Sequence, residues 1–99
     1  MQVIEQLPKS YQTNIIRAVE ILKQGGCTEV FLFGSLAAGK FTDQSDIDLA
    51  VRGCPPGNFF RLLGQLTMTL DYPVDLVSLD KGSAFAKYLE KEKELYRIG

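Results

Sequence analysis

The sequence predicts a small α/β (α+β) domain in which helices cover a sheet of at least three strands. Three observations predict it. Short β-prone apolar runs occur at Val30–Phe33, Asp46–Val51 and Val74–Leu79. Segments of helical apolar periodicity lie before, between and after them, and glycine- and proline-rich breaks separate the two kinds of pattern. At 99 residues, 45% hydrophobic and 23% charged, the chain has the composition of one ordinary globular domain. Such a domain buries about 65% of the surface its unfolded chain exposes.

Pro8 opens the first long helix, in which Tyr11, Ile15, Ala18 and Leu22 recur at helical spacing, widened by Ile16 and Val19. Gly25-Gly26 closes it, as glycine commonly does beyond a helix C-terminus. Val30-Phe31-Leu32-Phe33 is continuously apolar, the pattern of a strand buried on both faces. Ser35 to Lys40 reads as a short helix, Lys40 to Ser45 as a polar loop and Asp46 to Val51 as the second strand. After the break Gly53-Cys54-Pro55-Pro56-Gly57-Asn58, Phe59, Leu63, Leu66 and Leu70 form one apolar helix face. Tyr72-Pro73 stops that helix, and Val74 to Leu79 makes the third strand. Asp80 is placed to cap a last helix with Ala84, Phe85, Tyr88 and Leu89 on its inner face. Glu90 to Glu94 reads as solvated charge, and Leu95 to Ile98 as a short closing element. No repeat, low-complexity tract or linker divides the chain, so residues 1–99 are read as a single domain.

Composition removes several chemistries. Without histidine, Ser-His-Asp and Cys-His catalysis and any His-containing zinc site are excluded within the chain. A general base must then be a carboxylate, a lysine, a tyrosine or metal-bound water. A net charge of −1 offers no broad basic surface to a nucleic-acid backbone. No apolar run approaches membrane-spanning length, and the N-terminus lacks a signal-peptide pattern, so a cytoplasmic protein is expected. Cys27 and Cys54 are too few for a structural zinc site, and in a cytosolic setting they are expected to stay reduced.

The stretch Gly34 to Asp48 carries the chemistry. An apolar strand leads into Gly34-Ser35, a turn whose backbone N–H groups suit a phosphate. Ten intervening residues later come Asp46 and Asp48, which point the same way because strand side chains alternate. Two carboxylates on one face repel unless a cation lies between them, and Mg²⁺ favours such hard oxygen ligands. Asp75 interrupts an otherwise apolar strand, where an unpaired buried carboxylate is costly. If the second and third strands are neighbours, Asp46, Asp48 and Asp75 gather around two Mg²⁺ ions as a phosphoryl-transfer centre. Taken singly, Asp46 reads as a turn or cap residue, Asp48 as a strand-edge charge, and Ser35 as an ordinary N-cap.

Gly34-Ser-Leu-Ala-Ala-Gly39-Lys40 also fits the first seven positions of a P-loop. The eighth decides against it, because Phe41 has no oxygen for Mg²⁺ where a P-loop needs Ser or Thr. Lys40 can still serve a phosphate as a point charge.

Gly34-Ser35, the ten-residue spacing and Asp46-Ile47-Asp48 resemble the signature of the nucleotidyltransferase superfamily that includes DNA polymerase beta. Gly-Ser-x-Ala-x-Gly followed by Ser-Asp-Ile-Asp-Leu is most similar to its minimal nucleotidyltransferases, some of which are antitoxins paired with a HEPN-type toxin. The resemblance implies a mixed sheet and a nucleotide-binding set of Gly34, Ser35, Lys40 and Ser45, with Mg²⁺ on Asp46, Asp48 and Asp75. It implies transfer of a nucleoside monophosphate, AMP from ATP, to an acceptor hydroxyl, which in antitoxin-like members is a tyrosine of the toxin. Leu36 and Ala38 stand where family members often carry arginine, removing charge-assisted phosphate contacts worth about 1.5–3 kcal/mol each. These two departures motivate an alternative, a non-catalytic antitoxin that occludes a helical partner. A domain this small covers little of a nucleotide and its acceptor together, so a partner chain, a homodimer or both are expected to complete the cleft.

Overall fold

The computed structural model describes residues 2–80, 82, 84–91 and 95–99. In chain order the elements are α1 (Gln2–Glu5), α2 (Lys9–Gln24), β1 (Glu29–Phe33), α3 (Gly34–Ala38) and β2 (Ile47–Arg52), followed by α4 (Phe59–Thr69), β3 (Val74–Ser78), α5 (Ala84–Lys91) and β4 (Tyr96–Arg97). The strands form one four-stranded sheet in the order β3-β2-β1-β4. It is mixed: β1 pairs antiparallel with β2 and β4, while β2 and β3 run parallel. The parallel pair needs a crossover, and α4 supplies it. Leu95 to Ile98 thus closes the fold as an edge strand, whereas α1 had no periodic signal of its own.

Strand alternation gives the sheet two different faces. Val30, Leu32, Ile47, Leu49, Val51 and Leu76 join the larger core with the inner faces of α2 and α4. Phe33, Ala50 and Leu79 join a smaller core with Ala86 and Leu89 of α5. Asp48 and Asp75 alternate onto this second face.

Buried Asn14 fastens α2 to the end of α4. Its side-chain amide donates to Ser10 O at 2.8 Å and to Asp71 Oδ2 at 3.1 Å, and its Oδ1 accepts the Asp71 N–H at 2.7 Å. The phenol of Tyr72 adds a 2.6 Å hydrogen bond with the Ser10 hydroxyl.

Four expectations change. The buried seam of α4 runs through Leu62, Leu66 and Leu70, with Phe59 and Leu63 only half-buried, because the helix packs against β3 and α2 at once. On α5 the inner residues are Ala86 and Leu89, whereas Phe85 and Tyr88 stand exposed. Asp80 accepts the Gly53 N–H at 2.7 Å and lies four positions before Ala84, so it ties two loops together instead of capping α5. Of the charged stretch, Glu90 and Lys91 are exposed, and residues 92–94 lie outside the described residues.

The cysteines are the fourth correction, because Cys27 and Cys54 form a disulfide. The antiparallel register Glu29↔Arg52, continued two residues outward, sets Cys27 opposite Cys54. Pairing therefore follows from strand register, which the spacing of the two residues along the chain does not reveal.

Candidate active site

The site lies where β1 ends. Phe33 is extended, and the chain turns at Gly34 with φ of 75° into the short helix α3. Gly34 is required twice over. Its φ lies in the left-handed region, and a Cβ there would stand 2.9 Å from Cγ of Asp48 and run into its Oδ2. The Asp48 carboxylate thus lies directly against the Gly34 backbone, with no side chain between them.

Across the sheet, Phe33 is opposite Asp48, and Asp48 is opposite Asp75. The parallel register therefore juxtaposes the second and third candidate carboxylates on adjacent strands, about 4.8 Å apart in strand spacing. Asp46 lies one residue before β2, at the mouth of the same face. Burial corrects one expectation. β3 is an edge strand and Asp75 is exposed, so desolvation falls on half-buried Asp48. Burial, then the negative charges of Asp75 and Asp46, push the Asp48 carboxyl up to about 6.

Three carboxylates, two of which raise the proton affinity of Asp48, with no sulfur or nitrogen donor among them, fit a hard divalent cation. Among the described residues no three acidic side chains are already gathered tightly enough to enclose an ion.

The remaining predicted residues divide. Ser35 is half-buried, and its carbonyl accepts the Lys40 N–H at 3.0 Å where Gly39 ends α3 in the left-handed conformation. Lys40 is exposed. Leu36 is sunk in the larger core, whereas Ala38 is exposed. Ser45 is half-buried and its Oγ accepts the Thr42 N–H at 2.9 Å, which shapes the loop.

Tyr11 belongs to the site's support although it reads as an ordinary core residue. From α2 its hydroxyl donates to Ser45 O at 2.7 Å, the carbonyl just before Asp46. Its ring stacks on Tyr72 at 4.0 Å and meets Phe41 obliquely at 6.5 Å. Burial, the neighbouring Tyr72 phenol and the carboxylates of Asp43 and Asp46 hold its proton more tightly than usual. The available signal was chemical: a buried phenol needs a hydrogen-bond partner, and the polar loop offered carbonyls.

The polymerase beta nucleotidyltransferase model matches residues 14–97. The chain belongs to the polymerase beta nucleotidyltransferase family. The superfamily generally uses divalent metals. A solved structure assigned to the minimal nucleotidyltransferases is 26% identical, with a TM-score of 0.70 over 91% of this nucleotidyltransferase and 94% of the other chain. A toxin–antitoxin structure with AMP-PNP is similar at 24% identity and a TM-score of 0.65, over 91% of this chain and 72% of that one. A tri-AMPylated Shewanella oneidensis HEPN toxin in complex with an MNT antitoxin is similar at 23% identity and a TM-score of 0.62, over 87% and 69% of the two chains. The last two likenesses concern the fold. No curated protein matches the nucleotidyltransferase chain. No helix among its described residues is long and apolar enough to cross a membrane.

Proposed function

We propose that this nucleotidyltransferase transfers a nucleoside monophosphate, AMP from ATP, to the tyrosine hydroxyl of a HEPN-type partner. The observation that carries the proposal is the parallel register of Asp48 with Asp75, lying against the side-chain-free backbone of Gly34. Family membership supports the transferase chemistry, and the toxin–antitoxin neighbours motivate the choice of acceptor.

Asp46, Asp48 and Asp75 would hold Mg²⁺, which when bound supplies activation of the attacking hydroxyl and neutralisation of the leaving pyrophosphate. Gly34 gives the turn its left-handed backbone and lets the Asp48 carboxylate lie against it, and Ser35 contributes its hydroxyl and N–H to the phosphates. Lys40, exposed beyond the turn, adds positive charge beside the outer phosphates. Ser45 shapes the loop and keeps its hydroxyl proton available to a phosphate oxygen. Asp75, exposed on the edge strand, accepts the proton of the attacking hydroxyl. The acceptor oxygen bonds to the α-phosphorus, the bond to the bridging oxygen breaks, and pyrophosphate leaves.

Occlusion without catalysis loses half of its motive, since Leu36 faces the core and only Ala38 departs from the charged pattern on an exposed face. The deciding experiment incubates the protein with ATP, Mg²⁺ and a HEPN-type partner and weighs the partner by mass spectrometry. The partner is expected to gain AMP with wild type and none with Asp48→Asn. No gain with wild type, or equal gain with both, overturns the assignment.

A further inference from the structure

Helix α5 crosses the carboxylate face in a definite direction. Near its start the Phe85 ring meets Phe33 edge to face, with centroids 5.9 Å apart. Near its end Glu90 pairs with Arg52 at 3.2 Å. Phe33 ends β1 opposite Asp48, and Arg52 ends β2 opposite Glu29. The helix therefore starts at the end of the sheet that holds Gly34, Asp48 and Asp75, and runs away from it. Ala86 and Leu89 bury themselves on the sheet, but Phe85 keeps 47% of its surface open while Phe33 beneath it keeps 6%.

Resting on the nucleotide-transfer function above, we propose that Phe85 is a nucleobase platform, on whose open face the base stacks while the phosphates lie at Gly34 and Ser35. The buried Phe33 ring holds the platform beside the carboxylate row, because Phe33 is both the residue before Gly34 and the cross-strand partner of Asp48. Phosphate contacts alone are sparse here: Leu36 faces the core and Ala38 carries no charge. A stacked base supplies binding free energy from the other end of the ligand. Stacking reads the π-face and not the hydrogen-bonding edge, so it tolerates different bases. ATP and GTP are expected to bind alike, ahead of the smaller pyrimidine nucleotides.

The test is calorimetric titration of the full chain with Mg²⁺ complexes of ATP and of tripolyphosphate, which has no base. Wild type should bind ATP about ten- to a hundredfold more tightly, the range expected for one base stacked on an aromatic ring. Phe85→Ala should remove that advantage and leave tripolyphosphate binding unchanged. Phe85→Tyr, which keeps a ring, should retain it, and matched melting temperatures identify folded variants. An ATP advantage that survives Phe85→Ala overturns the platform, as does an equal weakening of both ligands. Wild type binding both ligands equally overturns the platform while leaving the nucleotide site standing. Wild type binding neither overturns both.

Discussion

At the scale of single residues, Asp48 holds the tension in this fold. Its ordinary carboxyl value in an unfolded chain is about 3.9, and in the folded protein burial and two neighbouring carboxylates raise it to about 6. The folded state therefore keeps this proton to higher pH than the unfolded state. Below the unfolded value the group contributes nothing. As pH climbs from about 4 to 6 stability falls, and above about 6 the full penalty applies. Because the side chain is only half-buried, solvent screening leaves about 1 kcal/mol of that penalty. Asp48→Asn should thus raise the melting temperature by about 4 °C or more at pH 7.5 and leave it unchanged at pH 4. Equal shifts at both values would place the effect outside ionisation. Added Mg²⁺ at pH 7.5 should stabilise wild type and not the variant.

Among the elements, the loop between α3 and β2 depends on a helix far from it in sequence. It delivers Asp46, yet its own hydrogen bonds are short-range ones between Thr42 and Ser45, the Ser45 Oγ accepting from Thr42 N–H, the Thr42 Oγ1 from Gln44 N–H and the Thr42 carbonyl from Ser45 N–H. Tyr11 joins it to α2 through the Ser45 carbonyl. Tyr11→Phe keeps the stack on Tyr72 and removes only the hydroxyl, so the fold should lose about 1 kcal/mol. Nucleotidyl transfer should fall about tenfold, the scale expected when a catalytic group shifts by a fraction of an ångström. The Mg²⁺ concentration for half-maximal rate should rise with it. An unchanged metal requirement alongside a lower melting temperature would make Tyr11 a core residue only.

For the whole molecule, the disulfide joins β1 to β2 beyond the Glu29–Arg52 end of their pairing, the end opposite Phe33 and Asp48. A cross-link between residues 27 apart removes chain entropy from the unfolded state worth about 3–4 kcal/mol. For a domain of this size that is a large part of the total stability. Urea unfolding with and without dithiothreitol should show that loss, and a Cys27→Ser/Cys54→Ser double variant should not respond to the reductant. A wild-type midpoint indifferent to reductant would contradict the cross-link.

Much of this was legible in the chain. The strands at Val30, Ile47 and Val74, the polar loop, the Gly-Ser turn and the Asp46–Asp48 pair are local patterns, set by propensity and alternation within a few residues. Phe41 ruled out the P-loop, and the missing histidines ruled out competing chemistries, by side-chain identity alone. Tertiary structure decided what depends on partners distant along the chain. Parallel pairing put Asp75 beside Asp48, and the edge position of β3 moved the cost of burial from Asp75 to Asp48. Register brought Cys27 to Cys54, packing turned Leu36 inward and Phe85 outward, and a helix placed the Tyr11 hydroxyl under the loop that ends at Asp46. The division has one physical cause. Periodicity states which side of an element is apolar, but only the packed sheet states what each side meets.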